Sequence, residues 1–375
     1  MIVEETVNLT AEDGATFEVK LHRDDATPRH TAFLIMHPTT GWQDHFILKL
    51  LAERGFGALG CSNRYTGREA ELILEYTVLD WAACVSHLRD LGYERIIGIG
   101  NSGGGEIVTC YQSEAVKPTM TGDPMGGPPD LTKAKLSPMD GLVMLNAHAG
   151  RPISLTQSLD PSVGGGDGND PLQYDPTLDM YNPENGPPYS AEFRDRYQTA
   201  QIERNNKITR WCQKAIEATM AAGNPLMTDM TFIVHRTDAN LRFLDNTIDA
   251  SDRTGLTIWD EDPKLANYTP GPLRGPRTRL RIMTARSWLS QRSLMASQFE
   301  VESFMPQCTI PTIVLCGTAD AGGPAHSQKS YDASPDSDKT MVWIKDGTHF
   351  MRGQEDKQAE VVDHIAAWAN NRGFA

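Results

Sequence analysis

No stretch of this chain restricts its fold more than "GIGNSGGGE", residues 98–106, in which one serine stands among five glycines directly after the apolar pair Ile96-Ile97. Glycine is needed where a backbone turns with positive φ or passes close to another backbone, and a serine at the apex of such a turn is left projecting from the structure. Gly100, Asn101, Ser102, Gly103 and Gly104 fit the pattern G-x-S-x-G, a sharp strand-to-helix turn that lifts a serine hydroxyl off the end of a parallel sheet. The pattern is short and also fits an ordinary loop. It gains meaning when a strand precedes it, a helix follows it, and an acid and a histidine come later in that order.

Apolar periodicity supplies the strand and the helix. "VEETVNL" (3–9) and "TFEVKLH" (16–22) read as an opening pair of strands, and "TAFLIM" (31–36) as a buried one. "QDHFILKLLAER" (43–54) carries helical spacing and stops at Gly55, and "FGALGC" (56–61) is the next strand. From Glu71, residues Leu74, Val78, Trp81, Val85 and Leu88 recur at four and three, marking an amphipathic helix that ends at Gly92. "RIIGIG" (95–100) then runs into Ser102, with a helix behind it, a Pro/Gly-rich loop at 116–139 and a strand in "DGLVMLNAHAG" (140–150). The alternation stops there. It resumes with "TIVLCG" (312–317), "MVWIKDG" (341–347) and a last helix with Val361, Ile365 and Trp368 on one stripe.

This order predicts an α/β fold, a mostly parallel sheet with helices on both faces, built from residues 1–149 and 306–375 and interrupted by an insertion at 150–305. Within the insertion, residues 190–222 (Phe193, Tyr197, Ile208, Trp211) and "ARSWLSQRSLMASQF" (285–299) have helical patterns, so a mainly helical lid is expected. A Gly/Pro/Asp-rich loop opens it. That loop contains "GGDGNDPL" (165–172), one copy of a calcium-binding repeat that works in stacked tandem copies, and it is read as a turn.

Composition narrows the partners. A chain of 375 residues with 39% apolar and 22% charged residues can bury a large core and is not disordered. A net charge of -14 repels phosphate backbones and anionic lipid surfaces, so a small-molecule substrate is expected, not nucleic acid or membrane, and a homo-oligomer stays open. The first residues are acidic with no apolar stretch, and no run of 18 apolar residues occurs, which predicts a cytoplasmic protein. Six cysteines without C-x-x-C spacing read as reduced and structural, and no His/Cys cluster has zinc spacing, so no metal and no cofactor are expected.

A serine hydroxyl needs a base to become a nucleophile. His349 in "KDGTHF", just after the last strand, is the best candidate, and Asp320 in "CGTAD", after the strand 312–317, is placed to orient it. Asp346 competes as the acid, but three residues before His349 on a tight turn it should face away. With Ser102, Asp320 and His349 in this order, the chain resembles the α/β-hydrolase superfamily over 1–149 and 306–375. The resemblance implies nucleophile, acid and base roles for Ser102, Asp320 and His349, and an oxyanion hole formed by the Gly103 N–H and a second N–H after the third strand. Many members read His-Gly there; this chain reads "MHPTTGW", and Pro38 has no N–H to give, so the second donor is expected at Thr39, with Thr40 in reserve. Thr40, Trp42 and His148 are candidates for the pocket wall. His45, His87 and His364 fall on helical patterns as surface or packing residues, and Glu106 reads as a helix N-terminal charge.

Serine at the elbow, where epoxide- and halide-processing members carry aspartate, implies acyl transfer to water through an acyl-enzyme: hydrolysis of a bulky carboxylic ester or thioester in a deep, mostly apolar pocket. Amide and carbon–carbon bond hydrolysis on the same three residues are the alternatives, and a non-catalytic ligand-binding member of the fold is the reading from another class. A charge asymmetry bears on the substrate. Lys264, Arg274, Arg277, Arg279, Arg281, Arg286 and Arg292 follow one another with no acid between Lys264 and Gln298. They pair either with Asp160, Asp167, Asp170, Asp175 and Asp179 and the core, or point one or two guanidinium groups into the cleft to hold an anion.

Overall fold

The computed structural model describes residues 1–223, 228–249, 251, 280–335 and 338–374. Its centre is an eight-stranded sheet made by β1 (Ile2–Thr10), β2 (Thr16–Asp24), β3 (Thr31–Met36), β4 (Gly57–Cys61), β5 (Arg95–Asn101), β6 (Gly141–Leu145) and two later strands, Thr312–Gly317 and Lys339–Ile344. In chain numbering these last two are β11 and β12, because four short strands lie between. The order is β1-β2-β4-β3-β5-β6-β11-β12; β1–β2 and β2–β4 are antiparallel and the other five pairings parallel.

Strand alternation explains why both faces are covered. On β3, Phe33 and Ile35 enter one core while Ala32, Leu34 and Met36 enter the other; on β6, Val143 and Leu145 oppose Leu142 and Met144 in the same way. The first face is closed by α1 (Phe46–Ala52), through Ile47 and Leu51, and by the C-terminal helix α9 (Glu355–Asn370), through Val361, Ile365 and Trp368. The second is closed by α2 (Leu74–Asp90), through Val78, Trp81 and Val85, and by α3 (Gly104–Val116), through Ile107, Val108 and Tyr111. Each large apolar side chain removed from water in this way contributes about 1.5–3 kcal/mol before conformational entropy is subtracted.

Between β6 and β11 the chain forms α4 (Arg151–Thr156), the pair β7 (Val163–Gly164) and β8 (Asp170–Tyr174), the long α5 (Ala191–Ala221), the pair β9 (Thr231–His235) and β10 (Leu280–Thr284), α6 (Ala285–Gln291) and α7 (Val301–Phe304). After β11 comes α8 (Gly323–Ala333). The 31 residues of α5 match the expected 190–222 pattern, with Ser190 capping the first turn by accepting from Phe193 N–H. The pattern over 285–299 does not continue as a helix: α6 ends at Gln291, where Asn205 Oδ1 takes the Leu294 N–H and Ser293 Oγ takes those of Met295 and Ala296. The Asp-rich loop holds the β7–β8 hairpin. Asp167 and Asp170 spend their side chains on Asn169 and Leu172 N–H groups, as turn residues do, and no group of metal-ligating side chains occurs among the described residues. All six cysteines are buried and free. No helix among the described residues is long and apolar enough to cross a membrane.

Candidate active site

The site begins where β5 ends. Ser102 has φ of 53°, a left-handed conformation unusual for a residue with a side chain, and its N–H donates to Leu145 O of β6 at 3.2 Å. The turn is tight enough that a Cβ on Gly104 would lie 2.5 Å from the carbonyl oxygen of Met36, so glycine is required there. Two loops approach from the ends of β11 and β12. His349 Nε2 lies 2.9 Å from Ser102 Oγ, and His349 Nδ1 lies 2.9 Å from Asp320 Oδ2. All three residues are 5% exposed or less. Asp346, by contrast, points to solvent, its N–H donating to Thr318 Oγ1 at 2.9 Å.

Asn146, which sequence reasoning passed over, ties these loops together. Just past β6 and at φ of 46°, it accepts from Gly317 N–H (2.8 Å) at the end of β11, where the Asp320 loop begins, and donates from Nδ2 to His349 O (2.9 Å). The signal in the sequence was a lone amide ending the apolar run "GLVML".

Ser102 faces a pocket of about 290 Å³. Gly103 and His37 line it on one side; the two residues are close, since a Cβ on Gly103 would meet His37 Nε2 at 3.2 Å. His148 lines it too. Its ring stacks on His349 at 5.3 Å, its Nε2 is 3.4 Å from Ser102 Oγ, and its N–H donates to Ser102 O. Burial, reinforced by neighbouring positive charge, holds His37 and His148 well below the usual histidine range, and burial takes His326, a further wall residue, down to about 4. These three imidazoles are therefore neutral around the serine at neutral pH.

The other expected residues sit further back. Thr39 is half-buried and its N–H faces His37 Nδ1 at 3.3 Å; Thr40 is exposed and outside the pocket wall. Trp42 does not reach the wall either, because its ring is buried behind His37, stacked on it at 4.7 Å and 19°. Glu106 is not an exposed helix-terminal charge. It is 1% exposed, accepts from Arg151 N–H, and burial pushes its carboxyl up to about 8.

The wall opposite the serine comes from the chain between β6 and β11. Arg151, Ser154 and Leu155 of α4, Thr237, Arg242 and Arg281 of β10 all contribute. Among the described residues, Leu155, Ala321 and Phe350 are its apolar side chains. A second chamber of about 460 Å³, with Ile153, Ile202, Leu241 and Leu294 in its lining, shares Asn240, Arg242 and His326 with the first. The arginine run divides. Lys264, Arg274, Arg277 and Arg279 lie outside the described residues, Arg286 pairs with Asp123 at 2.9 Å, and Arg281 reaches the pocket while pairing with Glu69 at 2.8 Å. Asp160 and Asp179 are neutralised by Arg236, which is not in the run.

No family model matches the chain, and no curated protein sequence does so. Solved structures do. An α/β hydrolase, GrgF, from Penicillium sp. sh18 superposes with a TM-score of 0.55 at 11% identity over 98% of both chains. The structure of DcsB in complex with its substrate analogue gives 0.54 at 13% identity, over 98% of this chain and 99% of that one. The esterase domain of a Rhodothermus marinus protein gives 0.47 at 13% identity over 98% of both chains. Sheet order, elbow and the two superpositions above 0.5 lead to one statement of kind: this chain has the α/β-hydrolase fold.

Proposed function

We propose that this protein is a serine hydrolase that cleaves a bulky carboxylic ester or thioester through an acyl-enzyme on Ser102. The observation that carries the reading is the pair of 2.9 Å contacts linking Ser102 Oγ, His349 and Asp320 in a buried setting. In this reading His349 Nε2 takes the hydroxyl proton as Oγ attacks the substrate carbonyl, and Asp320 fixes the ring so that Nδ1–H is the donor to the carboxylate. The tetrahedral oxyanion is held by the N–H groups of Gly103 and Thr39; the Thr39 bond to His37 is long and gives way to a charged acceptor. His349 then protonates the departing alcohol or thiol, leaving the acyl group on Oγ. Water, deprotonated by the same nitrogen, attacks that ester, and the acid leaves as Ser102 recovers its proton. Residues 150–305 serve as the lid over a core of 1–149 and 306–375, and the second chamber receives the bulk of the substrate.

A fluorophosphonate probe tests this directly. Stoichiometric modification of Ser102, lost in Ser102→Ala, is expected, together with turnover on a panel of esters and thioesters; an unlabelled Ser102 in folded protein overturns the reading. In the adduct, the phosphonate oxygen should lie about 2.7–3.1 Å from the Gly103 and Thr39 N–H groups. An oxygen held by the His37 side chain instead removes Thr39 from the site.

A further inference from the structure

We propose that the substrate carries a carboxylate, bound in the pocket that Ser102 faces by Arg151 and Arg281. This rests on the hydrolase reading for its substrate, though not for its binding site. The starting observation is the charge of the pocket lining, where Arg151, Arg242 and Arg281 stand with a single carboxylate, Asp238, among the described residues. Arg151 directs Nε and an Nη toward Gln291 Oε1, at 3.1 and 2.7 Å, a neutral acceptor; no carboxylate of the described residues is within ion-pair distance of it. Arg281 has Glu69, but both side chains are partly in water (31% and 47% exposed), where such a pair is screened and weak. Arg292, which does not line the pocket, is 3% exposed, and among the described residues its Nε has no acceptor and it makes no ion pair. Buried cations are costly unless an anion meets them.

The acid nearest this wall on the elbow helix does not cancel the charge: burial holds Glu106 protonated up to about pH 8. Burial, and after it the charges of Arg281 and Arg151, lower the pKa of Arg292. A guanidinium fork matches a carboxylate in shape as well as sign, so the wall selects for that group. The sequence run contributes Arg281 alone from the residues described in this wall, and Arg151 joins it from outside the run.

The test uses ester pairs that differ by a free carboxylate against its methyl ester, one pair with the difference on the acyl side and one on the leaving-group side. The ratio of kcat/KM within a pair is measured for the parent and for Arg281→Gln, Arg281→Lys and Arg151→Gln, so that loss of folded protein cancels. The parent should favour the carboxylate in at least one pair, and Arg281→Gln and Arg151→Gln should each lower that ratio about 10- to 100-fold, with Arg281→Lys in between. A parent that favours the methyl ester in both pairs, or ratios unmoved by both glutamine variants, overturns the proposal. Glutarate binding to Ser102→Ala, followed by calorimetry, separates the two readings. Glutarate binding that is lost in the Arg281→Gln double variant supports the anion site even where Ser102 fails to label; labelling of Ser102 with no glutarate binding and no carboxylate preference leaves a hydrolase and removes the anion site.

Discussion

Two sets of polar groups face each other across the pocket, and they differ in how well the protein alone satisfies them. On the sheet side, Ser102, His349 and Asp320 are buried and joined at 2.9 Å, and the loops that carry them are fastened through Asn146. On the other side, Arg151 meets only the neutral amide of Gln291 among the described residues, and Arg281 only the part-exposed Glu69. Buried polar groups are paired in the great majority of cases, so a fully paired set and a set of cations without a full counter-charge in one cavity carry different information. The first is assembled by the fold and is ready before any substrate arrives. The second is completed by something that binds.

The largest expected effects come from breaking the paired set. Ser102→Ala and His349→Ala should each lower kcat by about 10³ to 10⁶, and removing both should cost little more than removing one, because they act as a unit. Asp320→Asn should cost somewhat less. Steady-state kinetics on the best ester of the panel checks this. If Asp346→Asn abolishes turnover and Asp320→Asn does not, the acid is the exposed residue and the relay has been misread.

His148 gives a smaller and sharper test, because it shares the serine's surroundings without sharing the relay. Its Nε2 is 3.4 Å from Ser102 Oγ, but it is the Nδ1 of His349 that Asp320 holds. A neutral imidazole with no orienting carboxylate is a poor general base. His148→Phe, which keeps a flat ring against His349, should change kcat by less than about tenfold. A loss as large as that of His349→Ala would make His148 the base and His349 its support.

How much of this was legible in the sequence depends on how local the cause is. The elbow could be read because the strand, the positive-φ serine and the crowded glycine lie within ten residues, and the close packing that demands Gly104 comes from Met36, the residue ending the strand beside it. Asp320 and His349 were nominated by lying just past strands, which is a rule about sheets and not about these side chains. The opposite wall follows no such rule. Arg151 opens α4 a short loop after β6, yet whether its guanidinium meets an acid or an amide depends on Gln291, distant in sequence, and nothing in either neighbourhood encodes that. Trp42 was expected in the pocket because it is large and close to His37 in sequence. It stacks behind His37 instead, its ring buried against that imidazole.

The smallest effect concerns Glu106, whose charge state decides how unbalanced the arginine wall is. Its folded carboxyl is pushed up to about 8 by burial, from an ordinary value of 4.5. A carboxyl raised on folding contributes stability that is present in full below the unfolded value and is lost as pH climbs through the folded one, because the native state binds the proton more tightly. Buried neutral histidines work in the other direction: His45 and His326, lowered to about 4, cost stability as pH falls from 6.5. The parent's own melting curve therefore mixes both signs, and the difference between Glu106→Gln and the parent isolates one. The amide cannot take up charge. The variant's Tm minus the parent's should accordingly rise between pH 5 and pH 8, by about 3–6 °C for a chain of this size, and level off above that. A difference that stays flat would mean that Glu106 is already ionised at neutral pH and neutralises Arg151 from behind, and the contrast between the paired and unpaired sides of the pocket would shrink accordingly.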